Sequence, residues 1–356
     1  QKQMDEEFPE IDAVVGIAKN DDIVEIINSV MLDRRVVTFG DKLCHNMEGD
    51  KLQSTLPHYA YLRIADGCSN KCSYCAIPLI RGKMRSRKME NIIEEAKKFA
   101  ENGVKELVIV AQDVTAYGID LYKKYALPDL LKQLCKIDGI KWIRLLYCYP
   151  ERMTDELIET IKTEDKVLNY IDIPIQHCNK EILRNMYRGG DEQSLRELFA
   201  KLRREIPGVV LRTTLITGFP GETEEQFSEL AEFVNDIKFE RLGCFAYSAE
   251  EDTPAAEMPD QVDEGERQRR ADIITGEQEI RMGEYYAGMV GNTYEVVCEG
   301  FDRYSDMYFG RSMHFAPEID GMIYFTSTKE KRPVIGDFIN VKITDVLENN
   351  LLGEQV

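Results

Sequence analysis

The sequence predicts an α/β protein in which an open barrel of six βα units precedes a small all-β barrel of the OB-like type. From Tyr59 onward, short apolar or β-branched runs alternate with amphipathic helical segments, the pattern of parallel strands joined by crossover helices. After a charged helical segment at residues 263–286, strand-like runs separated by glycines predict about five strands of a closed barrel. Three cysteines crowd directly behind the first barrel strand.

The chain before the barrel is short and of a different character. It contains a helical pattern at residues 21–31, a strand-like "RVVTFG" and a polar linker, "DKLCHNMEGDKLQST". We therefore expect three parts: an N-terminal remnant and linker at 1–53, the βα barrel at 54–286 and the closing all-β domain at 287–356.

The alternation of apolar runs and helical segments predicts where the six barrel strands begin. They are predicted to begin at Tyr59, Glu106, Trp142, Tyr170, Val209 and Arg241. In barrels of parallel strands the reacting groups lie at the carboxyl ends of the strands. The side chains that follow these six runs are therefore the candidates for a functional site.

The composition favours an intracellular protein with reduced thiols. Nine cysteines are an odd number without the spacing of a disulfide framework, and no apolar run approaches the roughly 20 residues of a membrane-spanning helix. The formal net charge of −19 opposes attraction to nucleic acid or an anionic membrane and favours a basic partner. We expect a cytoplasmic location. The chain starts "QKQMDEEFPE", with neither an initiating methionine nor a signal peptide, and is expected to be a fragment.

The cysteine triplet is the strongest chemical signal. In "GCSNKCSYCAIP", Cys68, Cys72 and Cys75 are separated by three and then two residues, and the six other cysteines are isolated. A structural zinc site needs four ligands, usually as two pairs. Three thiolates on one loop suit three irons of a 4Fe-4S cluster and leave the fourth iron free to bind a ligand. An opportunistic zinc loop and three unrelated thiols are the alternatives.

The spacing CxxxCxxC after the first strand of a six-strand βα barrel resembles the radical S-adenosylmethionine (SAM) superfamily, whose fold is a partial TIM barrel. The resemblance implies that the free iron binds the amino and carboxylate groups of SAM and that one electron cleaves SAM to a 5′-deoxyadenosyl radical. Tyr74 matches the aromatic residue that this superfamily commonly places near the adenine. The cofactor would supply the chemistry and the protein its orientation.

Longer strings extend the comparison, among them "YLRIADGCSNKCSYCAIPLIRGKMRSR", "ELVIVAQDVTAYGIDLY" and "LRTTLITGFPGETEEQF". These strings resemble the methylthiotransferase family, and residues from Gly288 onward resemble its TRAM domain. Its RimO-type branch adds a methylthio group to the β-carbon of an aspartate in ribosomal small-subunit protein twelve, and its MiaB-type branch modifies an isopentenyl adenosine in transfer RNA. The first branch is favoured here by "CAIPLIRGKMRSR", "VAQDVTAYGIDLY" and "LLYCYP".

The charge of the C-terminal domain independently favours a protein substrate over RNA. Residues 288–356 carry six Lys plus Arg and eleven Asp plus Glu, whereas RNA-gripping domains need a basic groove. We expect a basic ribosomal protein as partner; RNA contact is not favoured, and no membrane is involved. The family resemblance also implies an electron donor such as flavodoxin or ferredoxin.

One part of the family pattern is missing. Family members carry three further cysteines that bind a second 4Fe-4S cluster, and the resemblance here begins just after the expected position of the third. We expect this chain to bind one cluster, to cleave SAM and to be incompetent for full turnover.

Six further cofactor-binding candidates follow from strand ends and resemblance. Gln112 and Asp113 close the second strand, where the family binds the SAM amino group; an ordinary strand-end cap is the alternative. Arg212, Thr214 and Gly218 lie on the fifth strand and its loop, where SAM contact competes with simple capping. Tyr74 completes the set. No catalytic acid–base pair is predicted, which fits hydrogen abstraction rather than proton transfer.

The sequence leaves three hypotheses open: the aspartate-modifying enzyme, a transfer-RNA methylthiotransferase and a non-catalytic ribosome-binding module with a structural cluster. Release of 5′-deoxyadenosine under dithionite would exclude the third.

Overall fold

The computed structural model describes residues 2–44, 46–49, 52–328 and 332–356. Residues 45, 50 and 51 of the predicted linker and 329–331 of the final segment lie outside the described residues. The N-terminal part contains α1 (Lys2–Glu7), β1 (Ala13–Val15), α2 (Ile23–Val30) and β2 (Val36–Thr38). Strands β1 and β2 form a small parallel pair.

The barrel unit follows, and its strands and helices alternate as the sequence predicts. In chain order they are β3 (Tyr59–Arg63), β4 (Ala65–Asp66), α3 (Ile77–Arg81), β5 (Arg85–Ser86), α4 (Met89–Glu101), β6 (Glu106–Val110), α5 (Leu127–Leu134), β7 (Trp142–Leu145), α6 (Asp155–Thr163), β8 (Val167–Asp172), α7 (Lys180–Asn185), α8 (Glu192–Glu205), β9 (Val210–Thr217), α9 (Glu224–Ile237), β10 (Arg241–Ala246) and α10 (Glu264–Met289).

Six of these strands form one parallel sheet in the order β3-β6-β7-β8-β9-β10. Within the described residues, the edge strands β3 and β10 do not pair with each other, so the barrel is open. The predicted open barrel of six βα units is therefore confirmed. Two strand starts differ slightly from the prediction, because β8 begins at Val167 and β9 at Val210.

Local capping signals position the crossover helices. The Asp191 side chain accepts a hydrogen bond from the Ser194 backbone at the start of α8, and Thr223 does the same for Gln226 at the start of α9; both form reciprocal capping boxes. Such side chains satisfy backbone N–H groups that the helix itself leaves unpaired. The direction in which each helix leaves its strand is thereby defined.

The two faces of the sheet are buried by different partners, since successive strand residues point to opposite faces. The outer face packs against the helices through Leu62, Leu107, Ile143 and Leu211. The inner face carries Tyr59, Val108, Trp142 and Tyr170, which pack with Val297, Ala316 and Phe338. Those three residues come from the C-terminal barrel, so that barrel covers the start of the inner face.

The C-terminal barrel consists of β11 (Thr293–Asp302), β12 (Met307–Ser312), β13 (Ile323–Thr326), β14 (Phe338–Leu347) and β15 (Asn350–Gln355). These five strands close in the order β11-β12-β13-β15-β14. The predicted small all-β barrel is confirmed. Its core is made of alternating inward residues, among them Val296, Phe325, Val341 and Leu351, all fully buried.

A network of buried charges joins the two units. Glu106 at the start of β6 accepts hydrogen bonds from Arg144 at 2.7 Å and from Arg311 of β12 at 2.8 Å. Arg311 also donates to Glu299 at 2.8 Å, and His58 lies 3.0 Å from the same carboxylate. Burial opposes ionisation of Glu106, but Arg311 and Arg144 outweigh it and lower the pKa of this carboxyl to about 2.

Helix α10 links both units. Ile274 belongs to the core of the sheet and its helices, whereas Tyr286 and Met289 belong to the core of the C-terminal barrel. The helix thus crosses the domain limit placed at residue 286, and both predicted domain limits stay predictions. Across the described residues, no helix is long and apolar enough to cross a membrane.

Candidate active site

The loop with the three cysteines follows β3 and the short β4, and it is held at its start and at Ser73. Gly67 has a φ of +75°, and a Cβ atom there would lie 2.5 Å from the Lys83 carbonyl oxygen, so this turn requires glycine. The Cys68 amide donates to the Gly82 carbonyl at 3.1 Å. The Ser73 hydroxyl donates to the Asn185 carbonyl at 2.7 Å, which fixes the loop to the end of α7.

A cavity of about 510 Å³ opens at the carboxyl ends of the strands, a volume typical of cofactor sites. Cys68, Cys72 and Cys75 all line it. The other lining residues are Arg63, Ala65, Asn70, Tyr74, Ile77, Val110, Ala111, Gln112, Tyr147, Cys148, Tyr149, Pro174, Gln176, Arg188 and Thr214. The cysteine loop and the ends of four further strands therefore share one site.

The three cysteines belong to one loop and line one cavity, as the ligands of a 4Fe-4S cluster commonly do. In the described part of the chain, no three His, Cys, Asp or Glu side chains gather closely enough to hold one metal ion. A 4Fe-4S cluster needs its thiolates apart, one on each of three irons. Burial raises the pKa of Cys68 to about 11 and also raises that of Cys75. Metal binding would stabilise the thiolate forms of Cys68 and Cys75 and release their protons.

Gln112 offers a free acceptor to a ligand. It lies directly after β6 and lines the cavity, and its buried side-chain oxygen Oε1 has no hydrogen-bond partner among the described residues. An unpaired buried acceptor is costly unless a ligand satisfies it. Its chemistry fits an ammonium group such as the amino group of SAM.

Tyr74 and Thr214 also lie at the cavity. The Tyr74 hydroxyl is 3.4 Å from Arg188 Nη1, and burial raises the pKa of this phenol. Thr214 alternates with buried Thr213 and Leu215 along β9, so its side chain faces inward. Six of the nine predicted site residues thus come together: the three cysteines, Tyr74, Gln112 and Thr214.

The other three predicted residues make internal contacts outside the cavity lining. Asp113 is buried; its carboxylate pairs with Arg152 and accepts a hydrogen bond from Asn70 Nδ2 at 3.0 Å. Because Asn70 belongs to the cysteine loop, this contact ties the loop to the end of β6. Asp113 also accepts from the Ala116 amide at 3.2 Å, which is the strand-end cap that the sequence left as its alternative.

Arg212 and Gly218 face other parts of the protein. Arg212 donates to Asp172 at 2.8 Å and lines a separate cavity beside the C-terminal barrel. Gly218 has a φ of +68°, and its amide donates to Glu222 Oε2 at 2.9 Å. A Cβ atom on Gly218 would lie 2.3 Å from Arg267 Cγ of α10. The glycine is therefore needed for the close packing of α10 on this loop.

Two lining arginines were not predicted from the sequence. Arg188 follows α7, donates to the Pro174 carbonyl at 2.8 Å and has its guanidinium 4.3 Å from the centre of the Tyr149 ring. Arg63 ends β3. The period-two pattern of "YAYLRIA" could have identified Arg63, because it continues the inner face of Tyr59 and Tyr61. Nothing local in the sequence marks Arg188.

Backbone strain is concentrated at the same cavity. Tyr147 and Gln176 follow β7 and β8 with φ values of +63° and +69°, a region that non-glycine residues rarely adopt. The Tyr147 amide donates to Asp172 Oδ2 at 3.0 Å, and the Gln176 amide donates to the Thr214 carbonyl at 2.9 Å. Such contacts hold both side chains at the cavity, in a manner typical of functional sites.

Two sequence models match this chain. The model of the Radical SAM superfamily matches residues 62–234, and the model of the TRAM domain matches residues 290–356. The parallel sheet and the cysteine loop at the ends of its strands accordingly define a radical SAM enzyme. A 4Fe-4S cluster and SAM are the cofactors of this superfamily, so the predicted cofactors are confirmed.

Curated relatives identify the branch. Proteins named ribosomal protein uS12 methylthiotransferase RimO are 48% identical in Caldanaerobacter subterraneus subsp. tengcongensis and 47% identical in Clostridium botulinum. Each alignment covers 99% of this chain, together with 80% and 78% of the respective relatives. The chain belongs to this RimO methylthiotransferase family and is a transferase. The transfer-RNA alternative has less support.

Solved structures resemble the chain more distantly. Coproporphyrinogen III oxidase (HemN) from Escherichia coli, a radical SAM enzyme, is 18% identical with a TM-score of 0.49; the match covers 65% of this chain and 54% of HemN. The radical SAM methyltransferase TsrM from Kitasatospora setae is 16% identical with a TM-score of 0.47, covering 56% and 38% of the two chains.

Proposed function

We propose that this protein adds a methylthio group to the β-carbon of an aspartate in ribosomal protein uS12. The observation that carries the proposal is the cavity, where three cysteines of one loop lie beside an unpaired acceptor, two arginines and strained strand ends. When bound, the cluster and SAM supply the one-electron chemistry that removes hydrogen from an unactivated carbon.

The residues of this chain would bind and orient the cofactors. Cys68, Cys72 and Cys75 are the proposed ligands of three irons, which leaves the fourth iron for SAM. The fourth lining cysteine, Cys148, is buried shortly after β7, away from the loop that carries the other three, and is not a proposed ligand. Gln112 Oε1 would accept a hydrogen bond from the SAM amino group. Tyr74 would contact the adenine, with its ring held in place by Arg188.

Of the remaining predicted cofactor residues, one would contact SAM directly and three would support the site from outside the cavity. Thr214 lines the cavity and would contact SAM directly. Asp113 would position the cysteine loop through Asn70. Arg212 and Gly218 would support the strand that carries Thr214, through Asp172 and through close packing on α10.

The partners in this proposal are uS12 and an electron donor. The net charge of −19 favours a basic ribosomal protein over RNA. A flavodoxin or a ferredoxin would supply the electron, and the location would be the cytoplasm. With the three cluster cysteines present here, one cluster per chain is expected.

The test uses the chain reconstituted anaerobically with iron and sulfide. We expect it to bind purified uS12 more tightly than transfer RNA, and to release 5′-deoxyadenosine from SAM under dithionite. Preferential binding of transfer RNA would favour the MiaB-type reaction instead. Absence of 5′-deoxyadenosine from cluster-loaded protein would contradict a radical SAM activity.

A further inference from the structure

The cavity differs in charge from the rest of the protein. The chain carries 64 Asp plus Glu and 45 Lys plus Arg, yet the described residues that line the cavity include two arginines and no Asp or Glu. A cavity whose charged lining side chains, within the described residues, are all cationic attracts anionic groups even in an acidic protein. The two arginines, Arg63 and Arg188, therefore indicate what the cavity binds.

Most other arginines near this site are neutralised from within. Arg152 pairs with Asp113, and Arg212 pairs with Asp172. The basic run after the cysteine loop is likewise paired, since Arg81 and Arg85 contact Asp66. These arginines are neutralised by carboxylates of the protein itself and are not available to a ligand.

Arg188 is directed toward the cysteine loop. It contacts the Tyr74 hydroxyl, the Pro174 carbonyl and the Tyr149 ring. Tyr74 stands between Cys72 and Cys75 in the sequence. The Arg188 guanidinium therefore lies beside the cysteine loop, where the cluster and SAM would bind.

Arg63 lies on the inner face of the sheet at the end of the edge strand β3. It follows Tyr59 and Tyr61 on that face and is paired in register with Val110. Within the described residues, its guanidinium makes no hydrogen bond and no ion pair, although it is only partly exposed. A half-buried guanidinium presents a fork of donors that matches a carboxylate.

We propose that Arg63 binds the side-chain carboxylate of the substrate aspartate and thereby determines specificity for an acidic residue. This inference rests on the proposed function. A carboxylate held at Arg63 would place the adjacent β-carbon inside the cavity, beside the cysteine loop that follows the same strand. The neutral amide of asparagine would bind more weakly, because it cannot form the charged pair.

The experiment measures binding of uS12 to the cluster-loaded chain, with the target aspartate of uS12 intact or replaced by asparagine. Wild-type protein should bind the aspartate form about tenfold more tightly. Arg63→Gln should bind both forms equally, and Arg63→Lys should retain part of the preference. Arg204→Gln, which removes an exposed charge from the outer helix α8, should keep the full preference.

The outcomes separate this inference from the proposed function. If wild-type protein binds neither form of uS12, the proposed function is wrong. If wild-type protein binds both forms equally, or if Arg63→Gln still prefers the aspartate form, the role of Arg63 is wrong while uS12 binding stands. Loss of iron or of SAM binding in Arg63→Gln and Arg63→Lys would assign Arg63 to the cofactors and overturn the inference.

Discussion

The two ends of the inner face of the sheet use arginine in opposite ways. At the start of the strands, Arg144 and Arg311 are fully buried and bonded to Glu106, and Arg311 also bonds to Glu299. At the carboxyl ends, Arg63 and Arg188 line a cavity whose lining, over the described residues, includes no carboxylate. A buried cation with an internal counter-ion holds a structure together, whereas one without a counter-ion at a cavity marks the place of an anionic ligand.

The largest expected effect concerns the cavity end. Cys68→Ala should abolish the cluster, lowering iron from about four per chain to near zero, and should abolish SAM cleavage. Iron and sulfide analysis after anaerobic reconstitution measures this change. Cys135→Ala, which removes an isolated thiol elsewhere, should keep the full iron content. A full cluster in Cys68→Ala would contradict the ligand assignment, and a ratio near eight irons in the unaltered chain would contradict the expectation of one cluster.

The second largest effect is a loss of stability at the start of the strands, where the buried arginines are paired with carboxylates. Glu106→Gln would leave two buried arginines without their shared counter-ion and should lower the free energy of unfolding by about 3–5 kcal/mol. Denaturant unfolding of apoprotein measures it. The control is Glu295→Gln, which breaks the exposed pair with Lys141 between the same two units and should cost about 1 kcal/mol or less. Equal losses in the two variants would remove the distinction between the buried network and the surface.

The same carboxyl predicts a pH dependence. The pKa of Glu106 is lowered from its ordinary value of 4.5 to about 2, so the folded protein binds a proton there less readily than the unfolded chain. The resulting stabilisation is present above pH 4.5 and is lost as the pH falls toward 2. Unfolding curves between these pH values should show a shallower decline for Glu106→Gln than for the unaltered protein. If the free energy of unfolding fell equally with pH in both proteins, Glu106 would not be the source of the pH dependence.

A smaller effect returns to the cavity. Gln112→Ala removes the unpaired acceptor and should weaken SAM binding about tenfold, the magnitude of one hydrogen bond to a charged group. Equilibrium binding of SAM to cluster-loaded protein measures it, and Gln193→Ala on the exposed face of α8 is the control. An unchanged dissociation constant would leave Gln112 as a strand-end residue without a ligand.

Patterns of short range could be read from the sequence. The six barrel strands follow from alternating apolar runs, and four of their predicted starts are those of the structure, at Tyr59, Glu106, Trp142 and Arg241. The three cysteines share the cavity because one loop carries them all. Such features depend on spacing within a few residues, which the sequence shows directly.

The tertiary structure decided which side chains are free to bind a ligand. Arg212 was predicted to bind SAM, but its partner Asp172 lies 40 positions away, on the neighbouring strand. Glu106 and Arg311 meet across 205 positions. A charge is neutralised or left free according to such distant pairings, which no local period encodes. The sequence alone therefore determined the fold, the cysteine loop and the family. The distinction between structural arginines and Arg63 and Arg188, which form no ion pair within the described residues, arose only when the strands came together.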